Sequence, residues 1–142
     1  MPRTELPDVD VLVAVALEAH EDHPAVLRWL RDTPAFATTP VTEIGLVRLV
    51  MNPSVVGRQV SVTEAMATLR SIKALRHASF VPDSTSLADH RALTSHVTGT
   101  KQVTDTHLLN PRHRGGHLLV TFDGRLVTSL GSQARRHVRV LG

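Results

Sequence analysis

Four carboxylates, Asp8, Glu43, Asp105 and Asp123, are spread over the whole chain, each beside a short apolar run or at the opening of a segment that reads as a helix. Like charges held close raise one another's pKa, so a fold that gathers these acids must either protonate them or bind a cation. The chain contains no Cys. Oxygen donors of this kind suit a hard ion such as Mg2+ or Mn2+, which keeps several waters and uses few protein carboxylates. An ion held there would activate water and offset charge on a transferring phosphoryl group, which makes an RNA or DNA phosphodiester the fitting substrate.

Positioning such a site falls to strands and helices in alternation. Leu6-Pro7-Asp8-Val9-Asp10 leads into the apolar stretch 11–17, so Asp8 and Asp10 lie where a short strand hands over to a helix expected over 11–19. At 117–122 an apolar run rich in strand formers is ended by Asp123-Gly124, which puts Asp123 at a strand's carboxyl end. Open parallel sheets bind ligands in the crevice outside those ends, so two strand-end acids can share it. Between them, His23-Pro24 reads as N-cap and first position of a helix to Arg31, and 35–38 as a strand. Thr39-Pro40 opens a helix stopped by Asn52-Pro53, with Glu43 in its first turn. Ser61-Val62-Thr63-Glu64 matches a capping box and starts a helix over 62–75. A strand at 78–81 and a helix from Ser86 to about residue 96 follow. Thr104 is expected to cap a helix that begins at Asp105, and 138–141 forms an edge strand. The alternation indicates an α/β sandwich around a mainly parallel sheet of four or five strands.

With 142 residues, 42% of them hydrophobic, the chain suffices for one domain spanning 1–142 with a sizeable core. It has no run of about 18 apolar residues to span a bilayer and no signal-like leader, so a cytoplasmic protein with no membrane partner is expected. The net charge of +3 conceals an asymmetry: from Lys101 to Gly142 seven bases face two acids, and fourteen of the chain's sixteen bases are Arg. The planar guanidinium fork suits bidentate phosphate contacts, consistent with a nucleic-acid partner, although a solvated Arg-rich surface gives the same composition. With aromatics at 3% of the chain, base stacking on a Phe or Tyr platform is not the expected mode of recognition.

Taken together, four ordered blocks resemble the PIN-domain ribonucleases of the VapC type, the toxins of toxin–antitoxin pairs. They are Asp8-Val9-Asp10-Val11-Leu12, Thr42-Glu43-Ile44-Gly45-Leu46-Val47-Arg48 with its trailing Asn52-Pro53, Val103-Thr104-Asp105-Thr106-His107-Leu108-Leu109, and Leu119-Val120-Thr121-Phe122-Asp123. The resemblance covers essentially the whole chain. It implies a three-layer α/β/α domain, endonucleolytic cleavage of RNA, and a homodimer neutralised by an antitoxin whose tail covers the site. It also implies a divalent metal, Mg2+ or Mn2+, with Asp8 and Asp105 as its ligands. Asp10 stands where the family usually has Asn, Ser or Thr and adds a fifth acid. Pro111, in Asn110-Pro111-Arg112-His113-Arg114-Gly115-Gly116, removes a backbone donor where such toxins usually continue a longer helix. The first block also resembles that of haloacid-dehalogenase-type phosphatases, with Asp8 as nucleophile; a third alternative is a non-catalytic binding module.

Supporting residues are read more plainly. Thr121, two before Asp123, shares its face and could orient a water. Arg112 and Arg114 flank the third block and are candidates for holding RNA phosphates. His20 with His23, and His113 with His117, have helical spacing but no convincing third ligand for zinc. Trp29, Leu30, Phe36, Phe80 and Phe122 are expected in the core.

Overall fold

Leu119 and Val120 follow one another on a strand and both are fully buried, but in different surroundings. Leu119 packs with Leu108, Leu126 and Leu130. Val120 joins the larger cluster built on Val11, Leu12, Trp29, Phe36, Leu46, Leu69 and Ile72. Successive side chains of a strand point to opposite faces, so this sheet has a core on each side and three layers result.

The computed structural model describes residues 3–89, 100–109, 116–131 and 135–142. Its elements run β1 (Glu5–Pro7), α1 (Val9–Ala16), α2 (His23–Asp32), β2 (Phe36–Thr38), α3 (Pro40–Val50), α4 (Pro53–Val56), α5 (Val62–Lys73), β3 (Ala78–Phe80), α6 (Lys101–Leu108), β4 (Leu118–Thr121), α7 (Gly124–Ser129) and β5 (Val138–Val140). The sheet has five strands in the order β3-β2-β1-β4-β5, and every neighbouring pair is parallel. Helices α1, α2, α3 and α5 supply the larger core, while α6 and α7 cover the other face. Among the described residues no helix is long and apolar enough to cross a membrane.

Local chemistry accounts for most element boundaries. Thr39 and Thr42 cap α3 reciprocally, the Thr39 hydroxyl accepting from Thr42 N at 3.2 Å and Thr42 Oγ1 accepting from Thr39 N at 2.9 Å, with Pro40 in the first turn. Ser61 Oγ accepts from Glu64 N at 3.1 Å, but the Glu64 carboxylate turns to Arg58 Nη2 at 2.6 Å, so the expected capping box forms only by half. Asn52 stops α3 and then caps the short α4 through Ser54 N, a helix that the Asn-Pro pair did not announce. Asp22 rather than His23 is the N-cap residue of α2.

Two expectations are corrected. Helix α6 starts at Lys101, so Asp105 lies in its second turn and not at its opening. The burial of Leu108, Thr106 and Gln102 in this longer helix outweighs the local cap preference of Thr104. Phe80 is 46% exposed at the end of an outer strand, with Lys73 Nζ 4.5 Å from its ring centroid, instead of lying in the core. The expected helix from Ser86 to about residue 96 shows a 3-10 turn at Leu87–Asp89; its remainder, like Pro111, Arg112, His113 and Arg114, lies outside the described residues.

Helices α1 and α3 cross closely because of one residue type. A Cβ placed on Gly45 would stand 2.6 Å from Val9 Cγ2, so only glycine permits this approach. At the opposite end of the sheet, buried Glu5 accepts from Trp29 Nε1 and Arg139 Nη1, both at 3.0 Å, and from the Thr33 hydroxyl. This network ties β1 to α2 and β5 away from the acids.

Candidate active site

Strand order reverses between β1 and β4: from β1 the chain builds outward through β2 and β3, then returns to add β4 and β5 on the other side. Such a switch point opens a crevice at the strands' carboxyl ends. The pairing of Pro7 with Val120 continues one step further, as Asp8 N donates to Val120 O at 2.9 Å, which sets Asp8 beside Thr121.

Asp8 and Asp123 are both helix caps and both belong to this crevice. Asp8 Oδ1 accepts from Val11 N at 2.9 Å at the head of α1. Asp123 Oδ1 accepts from Arg125 N at 2.9 Å and Leu126 N at 3.4 Å at the head of α7. Capping therefore fixes where each carboxylate stands. Between them the Thr121 hydroxyl hydrogen-bonds to the Asp8 carboxylate and accepts from Asp123 N at 3.0 Å.

The electrostatics show which acids share a field. Burial raises the Asp8 carboxyl from 3.8 to about 6; the hydrogen bonds from Thr121 and Val11 N oppose this, and the charges of Asp10 and Asp123 add to it. Asp105, reaching in from α6, is raised to about 8, again by burial first and then by Asp8, Asp10 and Asp123. Asp8, Asp10, Asp105 and Asp123 thus feel one another, although Asp10 itself is exposed in the first turn of α1. Glu43 is engaged elsewhere. Its Oε2 accepts from Thr38 Oγ1 at 2.6 Å and from Lys73 Nζ at 2.7 Å, and its charge is not among those acting on Asp8 or Asp105.

Among the described residues no three His, Asp or Glu side chains are arranged closely enough to hold a metal between them. What the crevice offers instead is two carboxylates, Asp8 and Asp105, whose negative charge is disfavoured by burial and by neighbouring acids. That fits a hard cation with few protein ligands and the rest water or phosphate oxygen, and does not fit an all-protein cage.

Sequence reasoning missed several residues that the fold brings to this crevice. One cavity is lined by Asp10, Asp105 and Asp123 together with Arg48, Arg125, His20 and Phe122. Arg48 comes from the solvent side of α3 and Arg125 from the first turn of α7. Asp83, just beyond β3, holds His107 Nε2 at 2.5 Å while its other oxygen accepts from Thr85 N and Thr85 Oγ1. This ties α6, and with it Asp105, to the loop after β3. Neither Asp83 nor its pairing with a histidine is singled out by the local sequence pattern. The His20 and His23 rings are bonded to backbone: Asp22 N donates to His20 Nδ1 at 3.0 Å, and His23 Nδ1 lies 2.7 Å from Ala14 O.

A parallel sheet covered on both faces, with acids gathered where its strand order reverses, is the α/β/α architecture of PIN domains. It is similar to the crystal structures of Mycobacterium tuberculosis VapC20, a toxin that cleaves the sarcin–ricin loop (TM-score 0.65, 15% identity, 89% of this chain and 95% of that one), and of PAE2754 from Pyrobaculum aerophilum (TM-score 0.58, 21% identity, 89% and 79%). No profile of a known protein family matches the chain. In sequence it is 35% identical over 136 residues to ribonuclease VapC38 of M. tuberculosis, covering 94% of this chain and 95% of that protein. It is 39% identical over 131 residues to ribonuclease VapC39 from the same species, covering 89% and 93%. The chain belongs to the VapC family of toxin ribonucleases. That membership sets aside the phosphatase alternative suggested by Asp8-Val9-Asp10.

Proposed function

We propose that this protein is a metal-dependent endoribonuclease, the toxin of a toxin–antitoxin pair, acting through the crevice at the carboxyl ends of β1 and β4. The observation that carries this reading is the pair of buried carboxylates at the switch point: burial first, and then the charges of neighbouring acids, raise Asp8 to about 6 and Asp105 to about 8. Asp8 and Asp105 are the proposed ligands of Mg2+ or Mn2+. When bound, such an ion supplies a Lewis acid at the phosphoryl group and activates the attacking water.

The chain's own residues do the rest. Asp8 and Asp105 would hold the ion as carboxylates, which at neutral pH requires chiefly that Asp105 be deprotonated, and Thr121 orients the Asp8 carboxylate. Asp10 and Asp123 add negative potential that draws the cation in. Arg48 and Arg125, on the cavity wall, are suited to grip phosphates on either side of the scissile bond, a role also proposed for Arg112 and Arg114. Glu43, held by Thr38 and Lys73, is the fourth proposed catalytic acid.

RNA, an antitoxin and a second copy of the chain are the partners on this reading, in the cytoplasm. Ile44, Met51 and Val55 are exposed along α3 and α4 and supply apolar surface for a protein partner. The test offers purified protein structured RNAs and a chromogenic phosphate monoester, each with Mg2+, Mn2+ or a chelator. Metal-dependent scission of RNA alone is expected. Monoester turnover alone would return the phosphatase, and neither activity would leave a binding module.

A further inference from the structure

The chain has one Trp, three Phe and no Tyr, and their placement is uneven. Trp29 and Phe36 pack against each other in the larger core, with centroids 5.7 Å apart. Phe80 lies under Lys73, far along the sheet on its outermost strand. Phe122 alone is carried to the cavity that holds the acids, and there its ring lies nearly parallel to that of His20, at 17° with centroids 6.3 Å apart. Both rings are half-buried, so each keeps an accessible part.

The pair is built into the fold. Phe122 follows β4 directly and precedes Asp123, so its backbone position is set by the strand that sets the acid. Its side chain packs on the larger core from beneath. His20 sits in the turn between α1 and α2, where His20 N donates to Leu17 O and His23 N donates to His20 O, both at 3.0 Å. The donation from Asp22 N to His20 Nδ1 then fixes the ring's rotation. A ring anchored by turn and hydrogen bond against a ring anchored by a strand needs little ordering to receive a flat ligand. Val9, Val13, Leu49 and Val55 give the same cavity apolar lining, alongside the charged Asp105, Asp123, Arg48 and Arg125. A ligand matched to that wall has a flat, weakly polar part and an anionic part joined by a short link, as a nucleotide does.

We propose that His20 and Phe122 form a nucleobase-stacking subsite that takes the base next to the scissile phosphodiester. The inference rests on the ribonuclease reading for which phosphate is cut, but base binding itself requires no cleavage. Stacking accepts any base, since every base has a π-face, so this subsite orients the strand and contributes affinity without by itself selecting sequence. Single-stranded or splayed-out nucleotides meet this demand; a paired base in a helix does not.

The experiment titrates wild-type protein, in Mg2+, with adenosine 5′-monophosphate and with ribose 5-phosphate, following the ring resonances of His20 and Phe122 by NMR. Adenosine monophosphate is expected to shift both rings and to bind about 10-fold more tightly than the baseless sugar phosphate. His20→Ala should abolish that preference, and His20→Phe, which keeps a ring but no imidazole, should restore it. Phe122→Leu, with folding checked by its melting curve, should also reduce it. Equal binding of the two ligands to wild type, no response of either ring, an undiminished preference in His20→Ala, or failure of His20→Phe to restore it would each overturn the subsite. RNA scission is scored separately on the same preparations: active protein without base preference loses only the subsite, and base preference without scission loses only the ribonuclease reading.

Discussion

Thr121 bonds to the Asp8 carboxylate across two neighbouring parallel strands, and the same hydroxyl accepts the backbone N–H of Asp123. One side chain thereby fixes two of the acids relative to each other. Its bond also opposes the rise in the Asp8 pKa that burial imposes. Thr121→Val should raise that pKa further, so the acid limb of the pH profile for RNA cleavage should move up by about one pH unit, as expected from a hydrogen bond to a charged group. Thr121→Ser should move it back. An unshifted limb in the valine variant would show that Thr121 serves packing alone.

Metal-free protein should lose stability as pH rises. Asp8 and Asp105 have folded pKa values of about 6 and about 8 against 3.8 when unfolded, so the folded state binds more protons in that interval. The associated stability is complete below about pH 4 and is lost through pH 6 and then 8, on the order of a few kcal/mol in all. Melting curves in chelator from pH 5 to 9 should decline, and Asp105→Asn, which mimics the protonated acid, should flatten the upper part. A wild-type melting temperature that climbs over this range would contradict the buried, mutually repelling pair.

Metal uptake should release protons for the same reason. Calorimetry of Mg2+ binding in buffers of different ionisation enthalpy should show proton release at pH 7, and affinity should increase from pH 6 to 8. Asp8→Asn and Asp105→Asn should each lower metal-dependent cleavage by roughly a thousandfold, a loss of several kcal/mol at the transition state. Neither should lower the melting temperature of the metal-free protein at pH 8. Near-normal cleavage by either variant would remove that residue from the ligand set.

Gly45→Ala should destabilise the fold by about 1–3 kcal/mol, because its new methyl group would meet Val9 Cγ2 at 2.6 Å where α3 crosses α1. Val9→Ala added to the same chain should recover most of the loss. Chemical denaturation of the two variants and the double variant measures the coupling.

Much of the architecture can be read along the chain because it depends on local signals. The Thr39-Pro40 start, the Ser61 cap and the apolar run ending at Asp123 each act within a few residues, and strands alternating with helices leave few topologies other than a parallel sheet covered on both faces. Where a distant contact decided a boundary, local signals misled. Thr104 has the chemistry of a cap, yet α6 extends back to Lys101, since Leu108 gains more from burial on the far side of the sheet than Thr104 gains from capping.

The sequence by itself determined which groups could do chemistry: side-chain identity decides that oxygens rather than sulfurs are available, and strand-end spacing decides that Asp8 and Asp123 face one crevice. Only the tertiary structure decided how those groups differ. Burial and mutual repulsion separate Asp8 and Asp105 from ordinary carboxylates, Lys73, thirty residues away, draws Glu43 aside, and the turn at His20 meets the end of β4 at Phe122. Desolvation and charge coupling depend on distances through space, and no spacing along a chain encodes those distances until it folds.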